Sequence, residues 1–218
     1  MTPQRIVLAT RNPHKVAELH RILADAGLDV HLMGEESFAH LPDIAETGTT
    51  FAENALLKAH AVAAATGLPA VADDSGLCVD VLGGMPGVFS ARWSGRHGDD
   101  VANLELVLAQ LADVPDDRRS AHFACAAALA LPGGEERVVE GRLSGSLLRA
   151  PVGRNGFGYD PIFVPEGETR TTAQMEPAEK DAISHRGRAL RTLVPVVREL
   201  VCHRPLRVRE GGLEPPRP

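Results

Sequence analysis

Aromatic residues are scarce, 4% of the 218 residues with a single Trp and a single Tyr. That scarcity argues against a stacking platform for single-stranded nucleic acid. Lys and Arg form no long run before the C-terminus and the formal net charge is −6, so the footprint of a duplex-binding protein is not expected. The three cysteines, Cys78, Cys125 and Cys202, are far apart and form neither a C-x-x-C pair nor a zinc spacing. A reduced interior is the simplest reading. No apolar stretch is long enough to span a bilayer, and Met1-Thr2-Pro3-Gln4-Arg5 carries no signal-peptide pattern; a soluble, cytoplasmic protein is expected. There is no internal repeat. What is present is an ordinary globular composition, 44% hydrophobic, in a chain long enough for one large domain or two tightly joined lobes.

Ile6-Val7-Leu8-Ala9 has the look of a buried strand. After Thr10-Arg11 come Asn12 and Pro13, preferred N-cap and first-turn residues. Val16, Leu19, Ile22 and Leu23 then recur at helical spacing until Gly27. Thr50 and Glu53 fit a capping box ahead of an apolar stripe of Ala55, Leu56, Ala59, Val62 and Ala63, stopped by Gly67 and Pro69. Leu68-Pro69-Ala70-Val71-Ala72 reads as a buried strand that ends in the turn Asp73-Asp74-Ser75-Gly76, with a second short strand over 77–81. Residues 99–111 read as a helix. Residues 121–131 and 137–143 flank Pro132-Gly133-Gly134-Glu135 as a hairpin, although Ala126-Ala127-Ala128 weakens its first strand. Residues 153–160 read as a loop and 162–164 as a strand. Ser184 caps a last helix with Leu190, Leu193, Val194, Val197 and Val201 on one face and a kink at Pro195. The expected organisation is one domain over 1–202 and a frayed tail over 203–218.

Four segments carry chemistry. Adjacent carboxylates Asp73 and Asp74 at a strand end suit a hard cation such as Mg²⁺, which takes one or two carboxylates plus substrate phosphate oxygens; an Asp-rich turn formed for local reasons is the competing account. The junction Thr10-Arg11-Asn12-Pro13-His14-Lys15 opens a helix, where free N–H groups and the dipole favour an anion. Lys15 is misplaced for the helix itself and makes sense beneath a bound anion; it is equally an exposed lysine tolerated at small cost. Glu46 would join the aspartates if its loop folds over the strand end, and is otherwise a solvated acid; Glu53 is better explained by capping. Asn155-Gly156-Phe157-Gly158-Tyr159-Asp160 lets backbone approach a ligand and offers an aromatic to a flat ring, or is a strand-entry turn with both aromatics in the core. Ser184-His185-Arg186-Gly187-Arg188, with Lys180 upstream, gathers donors at another helix start and implies an acceptor-rich partner, or a basic surface turn.

Taken as an ordered series, these segments resemble the inosine triphosphate pyrophosphatase family. The resemblance runs through Ala9-Thr10-Arg11-Asn12-Pro13-His14-Lys15, Glu46-Thr47-Gly48 with Phe51-Ala52-Glu53-Asn54-Ala55, and Ala72-Asp73-Asp74-Ser75-Gly76-Leu77. It continues through Gly83-Gly84-Met85-Pro86-Gly87-Val88-Phe89-Ser90-Ala91-Arg92, Gly156-Phe157-Gly158-Tyr159-Asp160-Pro161 and Ser184-His185-Arg186-Gly187. It implies a two-lobed α/β fold, with an elongated mixed β-sheet flanked by helices and a nucleotide cleft between the lobes, and a homodimer. It implies Mg²⁺-dependent hydrolysis of the purine nucleoside triphosphates ITP, dITP and XTP to monophosphate and pyrophosphate. Carried onto this chain, Thr10, Arg11, Asn12, Pro13, His14 and Lys15 hold the triphosphate. Glu46 and Asp74 bind Mg²⁺, and Asp74 is also the proton acceptor for the attacking water. Ser75 touches the substrate, while Phe157, Gly158, Tyr159, Asp160, Lys180, His185 and Arg186 surround base and sugar. Arg11 departs from the Gly usual in bacterial relatives and adds a cation beside the phosphates. The tail beyond Arg204 matches nothing in the family pattern.

The strand alternation puts Asp73 and Asp74 on opposite sides if the strand continues through them; the choice of Asp74 rests on the family pattern alone. Donors from His185-Arg186 would pair with the keto oxygen of hypoxanthine or xanthine and meet a donor in adenine. Two other readings are a pyrophosphatase for modified pyrimidine or methylated nucleotides, and a nucleotide sensor without turnover. All versions of the enzyme reading require the start of the first helix and the acid cluster to face a common crevice.

Overall fold

The computed structural model describes residues 4–10, 13–34, 37–38, 41 and 44–202, with Pro13 and His14 described as backbone only. The expected tail over 203–218 lies outside the described residues. A six-stranded mixed sheet in the order β2-β1-β3-β4-β5-β6 organises the chain. β1 (Gln4–Leu8) leads into α1 (Pro13–Asp25), which returns the chain to β2 (Val30–Gly34), parallel to β1 at the sheet edge. Helix α2 (Phe51–Thr66) crosses back to β3 (Ala70–Val79), parallel to β1 on its other side. α3 (Asp100–Gln110) precedes the hairpin of β4 (Ser120–Ala130) and β5 (Glu136–Leu147), and β6 (Phe163–Pro165) closes the sheet. α4 (Pro177–Ile183) and α5 (His185–Val197) follow, and α5 passes through Pro195 into a π-helical turn at Arg198–Cys202.

Local signals set these boundaries. The Thr50 hydroxyl accepts from the Glu53 amide, the Glu53 carboxylate accepts from the Thr50 amide, and Gly67 closes α2 in the left-handed conformation at φ 67°. Ser184 caps α5 by accepting from the Gly187 amide. The alanines of β4 have a packing reason that outweighs their poor strand propensity. Ala126, Ala128 and Ala130 lie against Ala55, Ala59 and Ala63 of α2, so small side chains let the helix sit close on the sheet.

One expectation is overturned. Asp73-Asp74-Ser75-Gly76 is not a turn: β3 runs through it without a break and includes the expected strand over 77–81 as far as Val79, pairing with β4 from Ala70↔Ala130 to Val79↔Ala121. What ends there is the parallel partner, since the β1 pairing stops at Leu8↔Val71. The acids therefore emerge where β3 leaves β1 behind, at the C-terminal end of the parallel strands, the place open α/β sheets use for ligands. Gly76 serves close approach: a Cβ would fall 2.4 Å from Ser90 Oγ and 2.5 Å from the Gly87 carbonyl. The 3₁₀ segment Gly87–Arg92 can then lie along the strand, with the Leu77 amide donating to Ser90 Oγ at 2.9 Å.

On one face of the sheet, α1 and α5 cover Ile6, Leu8, Val71, Ala127 and Leu129; on the other, α2 covers Val7, Ala70 and Ala72. A further cluster of Leu77, Val79, Leu104, Val107, Phe123 and Ile162 gathers at the far end of β3 and β4, on the α1–α5 face. Asp73 and Ser75 lie in the polar gap between the two clusters of that face.

Candidate active site

Asp73 and Asp74 face opposite sides of β3, as the strand alternation requires. Asp73, 4% exposed, takes two hydrogen bonds from Lys15 Nζ, at 2.9 and 3.2 Å, and one from Arg186 Nε at 3.0 Å. Burial by itself raises a carboxyl pKa, but the charges of Lys15 and Arg186 outweigh it and hold Asp73 well below the carboxylate range. Arg186 also donates from Nη2 to Ser75 Oγ at 3.2 Å, and Asp73 keeps its guanidinium charged against burial.

This face opens into a cavity of about 480 Å³ lined by Lys15, Ser75, Phe157, Lys180, His185 and Arg186 among others, a size suited to a small-molecule ligand. His185 stacks on Phe123 with centroids 4.9 Å apart. Burial, reinforced by the Arg186 and Lys180 charges, pushes its pKa well below 6.5, so the ring is neutral. The loop over 155–160 is held at several points. Asn155 Nδ2 donates to the Met175 carbonyl, the Phe157 amide to Asp160 Oδ2, the Gly158 amide to Asp100 Oδ2, and the Tyr159 hydroxyl to the Ser90 carbonyl. The Phe157 ring, 58% exposed, stands on this scaffold with Lys180 Nζ 5.0 Å from its centroid. Tyr159 and Asp160 are both buried. Asp160 spends its oxygens on the Phe157 amide, the Thr172 hydroxyl and Lys180 Nζ, so it shapes the loop.

The other face of β3 holds the acid pair. The loop carrying Glu46 does fold over the strand, and Lys58 of α2 joins the two acids, with Nζ 2.8 Å from Glu46 Oε1 and 3.4 Å from Asp74 Oδ1. Asn54 Nδ2 donates to Asp74 Oδ2 at 3.1 Å, and Arg92 Nη1 reaches Glu46 Oε2 at 3.4 Å. Burial, with the Glu46 charge, raises the pKa of Asp74. Glu46 shifts down, because the hydrogen bond and charge of Lys58 overcome burial. Two carboxylates with hard oxygen donors match what Mg²⁺ takes from protein when substrate phosphates complete its shell. Among the described residues no group of three or more His, Cys, Asp or Glu forms a self-sufficient metal cage.

The common crevice expected of Lys15 and Asp74 is not what the structure describes. Lys15 lines the cavity; Asp74 belongs to the opposite face. The cavity lining includes Ser75, the residue after Asp74, and Ala91, the residue before the Arg92 that pairs with Glu46. Of the expected triphosphate loop, Arg11 and Asn12 lie outside the described residues, and Thr10 follows β1 with its amide bonded to the Leu8 carbonyl. Arg188 donates to the Arg142 carbonyl from an exposed position and takes no part in either half. Glu53 is spent on capping, as expected. Sequence reading missed Lys58, Asn54, Arg92 and Glu18. Asn54 and Lys58 are polar residues at i, i+4 within the apolar stripe of α2, a legible signal for a polar partner across it. Glu18 lines the cavity at 7% exposure with Oε1 unpartnered, and burial raises its pKa; no sequence signal separates it from an ordinary helix glutamate.

Comparison with known proteins gives a consistent result. The Ham1 family profile matches residues 6–196. A dITP/XTP pyrophosphatase of Streptomyces coelicolor is 70% identical over 197 residues, covering 90% of this chain and 98% of the relative. The crystal structure of a nucleoside-triphosphatase / dITP/XTP pyrophosphatase from Mycobacterium abscessus aligns with a TM-score of 0.76 at 57% identity, covering 89% of this chain and 100% of that one. A HAM1 protein of Coxiella burnetii aligns with a TM-score of 0.83 at 44% identity, covering 90% and 99%.

Proposed function

The chain belongs to the Ham1 family, the inosine triphosphate pyrophosphatases, and from that premise we propose that it hydrolyses ITP, dITP and XTP to the monophosphate and pyrophosphate. In this reading it clears deaminated purine nucleotides in the cytoplasm, with Mg²⁺ as cofactor. The observation that carries the reading is the division of the aspartate doublet, one carboxylate anchoring cations beside a ligand-sized cavity and the other paired with Glu46.

In this mechanism the triphosphate lies along Thr10, Arg11, Asn12, Pro13, His14 and Lys15, where the start of α1 and the Lys15 ammonium balance its charge. Glu46 and Asp74 would hold Mg²⁺, which when bound would neutralise charge developing on the pyrophosphate leaving group. Asp74 accepts a proton from the water that attacks phosphorus. The base and sugar enter the cavity beside Ser75, against Phe157, Gly158, Tyr159 and Asp160. The His185-Arg186 segment offers donors to the keto oxygen at the purine 6-position. Adenine places an amine there, and leaving one donor unpaired costs about 1–3 kcal/mol. A second copy of the chain would cover Val81, Met85 and Phe89, large apolar side chains exposed within residues 81–89, giving a homodimer checkable by sedimentation.

The test is release of pyrophosphate from a panel of nucleoside triphosphates with and without Mg²⁺. Pyrophosphate from dITP, ITP and XTP, with dATP and dGTP far slower, is the expected result. Orthophosphate as the product, or a preference for modified pyrimidine nucleotides, would overturn the reading.

A further inference from the structure

All four carboxylate oxygens of Glu46 and Asp74 already have donors. Lys58 Nζ meets Glu46 Oε1 and Asp74 Oδ1, Arg92 Nη1 meets Glu46 Oε2, and Asn54 Nδ2 meets Asp74 Oδ2. Lys58 is the donor that touches both acids, and its side chain is 16% exposed. Its ammonium therefore sits where a cation shared by the two carboxylates must sit. Two negative charges face two positive ones, Lys58 and Arg92, so the cluster is neutral before any metal arrives. A divalent ion requires oxygens at about 2.0–2.1 Å. It cannot share that space with an ammonium, and like charges at such range repel strongly.

Building on the proposed function, we infer that Lys58 is a placeholder for the metal: its ammonium fills the cation position in the ligand-free enzyme and leaves it only when the nucleotide's polyphosphate offers another anionic partner. The flexible four-carbon stem and compact point charge of lysine suit it to such an exchange. Metal and nucleotide binding are then mutually reinforcing through one side chain, and by linkage each raises the affinity of the other by the same factor. An enzyme built this way takes up its metal together with the substrate and leaves the acid pair neutralised in between.

The experiment measures Mn²⁺ binding by electron paramagnetic resonance, with and without a non-hydrolysable α,β-methylene analogue of dITP. The proteins are the wild type, Lys58→Met, Lys58→Gln and Asp74→Asn. Wild type should bind free Mn²⁺ weakly and at least about tenfold more tightly with the analogue. Both Lys58 variants should bind free Mn²⁺ about tenfold more tightly than wild type, because the competitor is gone, and the analogue should add little further. Melting curves give a second readout: removing Lys58 leaves two acids facing each other, so Mn²⁺ alone should raise the melting temperature more in these variants than in wild type. Free Mn²⁺ binding in the Lys58 variants no tighter than wild type overturns the placeholder role while leaving the proposed function standing. Mn²⁺ binding unchanged in Asp74→Asn overturns the metal site itself, and the placeholder with it.

Discussion

Asp73 and Asp74 are consecutive residues of one strand, equally acidic in isolation, and the fold gives them opposite surroundings. Asp73 meets Lys15 and Arg186 from two helices and is held ionised; Asp74 meets another acid and a single lysine, and burial pushes its pKa upward. The first anchors a buried ion-pair network, and the second shares one lysine with a neighbouring acid. A strand makes this division with no extra machinery, since alternate side chains leave on alternate faces and a doublet must straddle the sheet. The pair shows that neighbouring carboxylates need not act as a dyad.

Substitutions should separate the two roles. Asp74→Asn should lower kcat for dITP by about 10²–10⁴-fold, the range for loss of a general base, with the melting temperature nearly unchanged; near-normal turnover would remove Asp74 from the chemistry. Asp73→Ala should instead cost about 3–5 kcal/mol of stability, because it strands the guanidinium of Arg186 in a buried site. Denaturant titration checks this, and a loss below about 1 kcal/mol would show that the network is not structural. The two variants together would break the comparison if both lost the same property.

The pH dependence of stability offers a smaller, signed test on the Asp73 face. His185 has a folded pKa well below 6.5, so below about pH 6.5 the unfolded chain gains a proton that the folded chain refuses. Stability should therefore fall as pH drops from 6.5 toward the depressed folded value, by at most about 1.4 kcal/mol per pH unit from this group. His185→Gln should flatten that slope in urea titrations at several pH values. Asp73 acts in a separate window, since its stabilisation is lost only below the usual carboxylate range. The smallest effect sharpens the cavity assignment: Phe157→Ala should raise KM about 3- to 10-fold through loss of a ring contact, with kcat held and the fold intact, because the ring is exposed on a loop fastened by other groups.

Much of this was legible from local chemistry. The capping box at Thr50 and Glu53, the Ser184 cap and the hairpin around Pro132-Gly133-Gly134-Glu135 follow from short-range rules and appear as expected. β2 and α4 were not legible. β2 is a five-residue edge strand without clear alternation of burial, and α4 is a short helix that buries no residue. The misread turn at Asp73-Asp74-Ser75-Gly76 has a particular cause. Asp, Ser and Gly usually mark turns through local hydrogen bonding, but here β4 pairs along the whole segment and Ser90 needs the room left by Gly76. Long-range pairing outweighed local preference.

The sequence by itself determined the order of the chemical segments, the caps that bound the helices, and the family to which those segments point, because each depends on residues close together in the chain. Only the tertiary structure decided which aspartate faces which partners, that Lys58 stands between Glu46 and Asp74, and that Lys15 lines the cavity while Asp74 lies on the opposite face of β3. Those outcomes depend on where β1 stops beside β3 and on which helices cover each face of the sheet, and such contacts join residues dozens of positions apart.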